Sequence, residues 1–126
     1  MTKDHFPLRE QRCRCCGAGR WRPDFHKKMN LLRDACGFPL RVSSGCRCEA
    51  NNASCGGGHL SAHLMDESEE CAAADIVVSG VRAHTVLTEA ARLGFAGVGV
   101  RQTGDVARRI IHLDDAEDIP GRPRPW

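Results

Sequence analysis

Three side chains in this sequence have the types and the surroundings to hold a metal. Ser61-Ala62-His63 is followed by Ala73-Ala74-Asp75-Ile76, and some way on comes Ile110-Ile111-His112-Leu113-Asp114. Two imidazoles and a carboxylate make a three-ligand site for a borderline ion such as zinc, with the fourth position left to water as in catalytic zinc sites. Both segments lie beside β-branched runs, Ile76-Val77-Val78 and Ile110-Ile111, that read as buried strands. Strands are stiff, so the pattern predicts His63, Asp75 and His112 mounted on strands around one metal.

The rest of the chain must position them. Pro23-Asp24 opens a helix, with Asp24 as N-cap and Phe25, Met29, Leu32 and Cys36 on one face, and Gly37 stops it. Leu40–Ser43 alternates like a half-buried strand. Ser44–Gly58 reads as a long loop, the kind that is functional or disordered when it lies inside a domain. Between the first histidine and the aspartate, Asp66-Glu67-Ser68-Glu69-Glu70-Cys71 reads as an exposed acidic turn that the fold can spare. Arg82–Leu93 is a second helix, with Val86, Leu87, Ala90 and Leu93 inward, ended by Gly94. Phe95–Arg101 is a glycine-spaced strand open to close approach, and Arg109–Leu113 is the last strand. The class is α+β, with a small antiparallel sheet flanked by helices. The 126 residues form one domain, 1–126, with a Cys-rich N-terminal segment at 1–20 and a Pro/Arg tail at 115–126.

Charge narrows the function. Eighteen Lys+Arg against sixteen Asp+Glu give a net charge of +2, too little for a field that gathers nucleic acid or membrane. The arginines near the N-terminus lack the interleaved aromatics of a single-strand binder. No apolar run is long enough to span a bilayer, and the N-terminus lacks a signal-peptide core, so the chain is expected in the cytoplasm as synthesised. Eight cysteines in such a chain are many. They fall into two pools, Cys13/Cys15/Cys16 and Cys46/Cys48/Cys55/Cys71, with Cys36 on the first helix. Buried or free thiols, pairing only after the protein leaves the cell, are the expectation for a reducing compartment, with a second, structural zinc on the loop cysteines as the competing use. His59, after three glycines, is a further histidine that could reach the metal or a substrate.

Five segments together carry a resemblance: Ser43-Ser44-Gly45-Cys46-Arg47, Ser61-Ala62-His63, Ala73-Ala74-Asp75-Ile76, Gly94-Phe95-Ala96-Gly97-Val98-Gly99-Val100 and Ile111-His112-Leu113-Asp114. In this order the chain, from about Phe6 to Trp126, resembles the zinc D-Ala-D-Ala carboxypeptidases and related peptidoglycan peptidases, phage endolysins among them, of the hedgehog/DD-peptidase fold. The resemblance implies zinc ligands at His63, Asp75 and His112. It implies a substrate-polarising arginine at Arg47 and a general base beside the last histidine, at Asp114. The chain departs from the pattern in two places. His63 and Asp75 stand twelve residues apart, more than the family pattern allows without an insertion. Arg109 stands where some relatives carry a glutamate before the last histidine.

The function implied is zinc-dependent hydrolysis of peptidoglycan stem or crosslink peptides by a monomer, of prophage or host origin, that reaches the wall by lysis or a separate export route. The alternatives are a non-catalytic, zinc-stabilised binding module on the same fold, and a cysteine-rich structural zinc domain whose metal sits on thiolates alone.

Overall fold

The computed structural model describes residues 3–56 and 61–116, and the backbone of 124–125. Among the described residues there are four α-helices, α1 (Leu8–Gln11), α2 (Pro23–Cys36), α3 (Glu49–Ser54) and α4 (Gly80–Leu93), and seven short strands. These strands are β1 (Arg20–Trp21), β2 (Arg41–Ser44), β3 (Glu70–Cys71), β4 (Ala73–Val77), β5 (Gly97–Arg101), β6 (Ile110–Asp114) and β7 (Arg124–Pro125). The main sheet runs β2-β4-β6-β5-β7, antiparallel except for the last pair. The expected tail therefore contributes an edge strand, Arg124–Pro125, parallel to β5. None of the helices, among the described residues, is long and apolar enough to cross a membrane.

Strand alternation divides the sheet into two faces. Ala74, Ile76, Ile111 and Leu113 join the hydrophobic core with Val86 and Ala90 of α4 and with Phe25, Met29 and Leu32 of α2. Asp75, His112 and Asp114 occupy the intervening positions and leave from the other face. Gly97 and Gly99 of β5 stand opposite Asp114 and His112. They add no side chain to that face, so the polar side chains of β6 have room beside them.

Both long helices end as their glycines predict: Gly37 and Gly94 adopt left-handed φ values of 75° and 77°. Their starts differ from expectation. Arg22, not Asp24, is the N-cap of α2, because Pro23 fits the first helical position where no N–H is required. Cys36 is only half-buried. An edge-to-face aromatic chain, Phe6–Trp21–Phe25–Phe95, ties the N-terminal segment to α2 and the sheet, with centroid spacings of 5.2, 5.3 and 5.8 Å. Gln11 bridges the same region: its amide donates to the Phe6 carbonyl, and its oxygen accepts the Trp21 N–H.

Two readings of the chain need correction. Glu49–Ser54, inside the expected loop, is a helical turn and a half. The acidic segment is not a spare excursion. Its end, Glu70-Cys71, is β3, paired in parallel with Arg20-Trp21, and Cys71 is buried in a disulfide with Cys46. Only Asp66–Glu69 is a turn, closed by the Asp66 carboxylate accepting the N–H groups of Ser68 and Glu70. A five-residue deletion between Met65 and Ala72 would remove β3 or the disulfide.

Candidate metal centre

Asp75 and His112 are direct cross-strand partners in the β4–β6 pair, so their side chains leave the same face side by side. His63 reaches them differently. It sits in a turn rather than on a strand, held by a short parallel bridge between Leu64 and Arg47. The Arg47 N–H donates to the His63 carbonyl at 2.7 Å, and the Met65 N–H donates to the Arg47 carbonyl at 3.4 Å. The expectation of strand-mounted ligands thus holds for Asp75 and His112 and fails for His63.

The three side chains are buried and their ligand atoms lie within 4.8 Å of one another. Asp75 Oδ1 is the focus, 3.1 Å from His63 Nε2 and 2.9 Å from His112 Nδ1. Neighbouring ligands on a tetrahedral zinc stand about 3.3 Å apart, given bonds of about 2.0–2.1 Å. The two carboxylate–imidazole spacings are therefore close to those such an ion requires. The outer nitrogens are also spoken for: His63 Nδ1 donates to the Gly45 carbonyl at 2.6 Å, and His112 Nε2 to Asp114 Oδ2 at 2.6 Å. A carbonyl or carboxylate on the far nitrogen is the support that metal-binding histidines use to fix their tautomer and ring orientation. The donor set suits zinc.

The Gly45 carbonyl is placed by a tight passage. The chain at Gly45 runs against the backbone of Gln11, whose carbonyl accepts the Cys46 N–H, and a Cβ at Gly45 would collide with that carbonyl. Only glycine fits there.

Electrostatics agree with the geometry. Burial alone would raise the Asp75 carboxyl, but hydrogen bonds from His112 and His63 overcome it and hold the group well below the usual carboxylate range. Burial pulls His112 down, yet its hydrogen bonds to Asp114 and Asp75 dominate and raise it above its ordinary value.

Arg47 is buried, not displayed on an open loop. Its Nη2 meets Asp75 Oδ2 at 3.1 Å, its Nε donates to Ser44 Oγ at 2.9 Å, and Nη1 lies 3.5 Å from Asn52 Oδ1. The guanidinium thus occupies the Asp75 oxygen that the histidines leave. Asp114 lies on the same face as His112, as alternation requires. Its carboxylate closes on Nε2, however, on the opposite side of the ring from Asp75, and its other oxygen accepts the Ala116 N–H at 3.1 Å. It is fully buried. Asp115, the next residue, pairs with Lys28 at 2.8 Å and accepts the Ala96 N–H. Arg109 donates to the Gly104 carbonyl, away from the cluster. His59 lies outside the described residues.

The sequence allows for later thiol pairing but does not single out the Cys46–Cys71 disulfide. Cys46 precedes Arg47 and Cys71 precedes β4, so the bond joins the arginine's loop to the strand that carries Asp75. Cys46 and Cys71 fell in the same cysteine pool, but pairing within a pool has no local sequence signal.

No curated protein and no solved structure matches the chain. The Peptidase M15 family model matches residues 4–114, a span that takes in the arginine, both histidines and the aspartate. With most of its length covered by that match, the chain belongs to the Peptidase M15 family.

Proposed function

We propose that this chain is a zinc-dependent peptidase acting on peptidoglycan stem or crosslink peptides, with His63 Nε2, His112 Nδ1 and Asp75 Oδ1 as its metal ligands. Family membership implies a metallopeptidase. The observation that carries the ligand assignment is the convergence of two imidazole nitrogens on one carboxylate oxygen, each ring held from behind. A zinc ion there supplies a water of near-neutral pKa and a Lewis acid for the scissile carbonyl.

The chain's own residues do the rest. Arg47 steadies Asp75 through Oδ2, and its planar fork offers positive charge to a substrate carboxylate or a developing oxyanion at the edge of the cluster. Asp114 orients His112 and keeps its proton on Nε2, leaving Nδ1 to bind. This replaces the general-base role expected for Asp114, since its oxygens face away from the site. Substrate in the cell wall requires passage out of the cytoplasm, and the Cys46–Cys71 disulfide suits the oxidising side of that passage.

One observation favours the alternative, a zinc-stabilised binding module. Among the described residues, the carboxylates touching the cluster are Asp75 and Asp114, and both are engaged. Digestion of purified peptidoglycan by the zinc-loaded chain, with mass analysis of the products, separates the two. New termini at D-Ala or at a crosslink are expected. Intact peptidoglycan with zinc fully bound would establish the binding module instead.

A further inference from the structure

A second set of metal-ligating side chains lies away from the histidine cluster. Cys13, Cys16 and Cys48 place their sulfurs within 4.8 Å of one another. Cys13 and Cys16 stand in a Cys-x-x-Cys arrangement, the spacing that lets two sulfurs of one turn share an ion. The turn is closed by the Gly17 N–H on the Cys13 carbonyl at 2.9 Å and by the Cys13 N–H on the Ala18 carbonyl at 2.7 Å, with Gly17 at φ 77°. The third sulfur arrives from far along the chain, on Cys48.

Hydrogen-bond donors converge on the sulfur of Cys13, the buried member of the group. Cys13 Sγ accepts the Cys48 N–H at 3.3 Å and the Asn51 side-chain amide at 3.4 Å, and Cys48 Sγ accepts the Asn51 N–H at 3.5 Å. Burial alone would raise the Cys13 thiol, but backbone N–H groups of Cys16, Cys48 and Cys15 and the Asn51 amide bring it down to about 6. Cys15, exposed, hydrogen-bonds to the Cys48 sulfur but lies outside the group of three. Several sulfurs crowded together with donors aimed at them repel one another once ionised, and a divalent ion removes that repulsion.

We propose that Cys13, Cys16 and Cys48 bind a structural zinc ion distinct from the one proposed at the histidine cluster. The thiol protons leave to solvent as the ion binds. Its effect is mechanical. Cys48 follows Arg47 directly and Cys46 precedes it, so Arg47 is pinned by a disulfide on one side and by the thiolate centre on the other. The remaining pool member, Cys55, is exposed and lies outside the group.

The test uses the full chain, purified anaerobically, as wild type, as Cys16→Ser and as His63→Ala/His112→Ala. Cobalt(II) should give wild type an intense near-ultraviolet thiolate charge-transfer band, which persists in the histidine variant and is lost in Cys16→Ser. Zinc measured after dialysis should be about two ions per chain in wild type and about one in either variant. Cys16 is exposed, so its replacement by serine leaves the core intact, and the wild-type spectrum stands apart from any variant's folding. Absence of the band in both wild type and the histidine variant would overturn the proposal. So would a mass deficit of two hydrogens assigned to a Cys13–Cys16 disulfide in the anaerobic protein. Failure of the peptidase reading would show separately, as lost hydrolysis with the thiolate band intact.

Discussion

Removing the Cys46–Cys71 cross-link by Cys46→Ala/Cys71→Ala should lower the melting temperature of the zinc-loaded chain by about 13 °C. The bond joins residues 25 apart in sequence. Loop-closure entropy for a ring of that size is about 12 cal/mol/K, or about 3.5 kcal/mol at 25 °C. Unfolding entropy of about 2.1 cal/mol/K per residue comes to about 265 cal/mol/K for 126 residues. Dividing the one by the other gives the shift. Both cysteines are buried, so the missing sulfurs add some lost packing to the same sign. Comparing oxidised wild type with wild type reduced by a phosphine isolates the chain-entropy part, because the side chains are then unchanged. Circular dichroism melts at one protein concentration suffice. If oxidised wild type, with its disulfide confirmed by mass, melts within about 3 °C of the variant, the loop-closure reasoning fails for this fold.

Three further outcomes follow from the metal centre. Asp114→Asn should weaken zinc binding by about 10- to 100-fold, with hydrolysis restored by added zinc; full zinc binding with lost hydrolysis would return Asp114 to the general-base role. Arg47→Lys keeps the charge but loses the fork between Ser44 and Asp75, so it should cost about 1–3 kcal/mol of stability and lower kcat/KM at least tenfold. An unchanged melt and rate would remove Arg47 from both roles. Zinc affinity should fall as pH drops, beginning above the ordinary histidine value of 6.5, because His112 in the metal-free protein holds its proton more tightly than usual. The slope is about one decade per pH unit for each proton displaced, read by competition with a chromophoric chelator. A flat profile between pH 8 and 6 would exclude His112 as a ligand.

How much of this was legible in the sequence depended on range. Gly37 and Gly94 stop their helices for reasons contained within a turn of chain, and the β-branched runs around Asp75 and His112 announce their strands. Strand alternation put His112 and Asp114 on one face. It could not say which ring nitrogen the carboxylate would meet, since that depends on rotamers and on where Asp75 sits across the sheet. Glu49–Ser54 was hidden because Asn51, Asn52 and Ser54 are weak helix formers, and what starts this helix is a cysteine sulfur accepting the Asn51 N–H. The β1–β3 pairing and the disulfide join segments that no local pattern connects. Two residues per strand are too few for any periodicity to show.

That parallel pairing also sets a timetable for the growing chain. Trp21 donates its indole N–H to the Ala73 carbonyl and lies beside Cys71, so its permanent partners are made about fifty residues after it. At about 5–20 residues per second, the interval is on the order of 3–10 s. Through most of that time Trp21 has its near neighbours in sequence for company, among them Phe6, Gln11, Phe25 and His26. The N-terminal segment is therefore a waiting half, its apolar side uncovered until β3 and β4 appear, and the histidine cluster is later still because His112 follows β3 by about forty residues. Premature oxidation among the early cysteines would compete with the Cys46–Cys71 pair during this window. The order of synthesis thus places formation of the Cys46–Cys71 bond after β3 has docked.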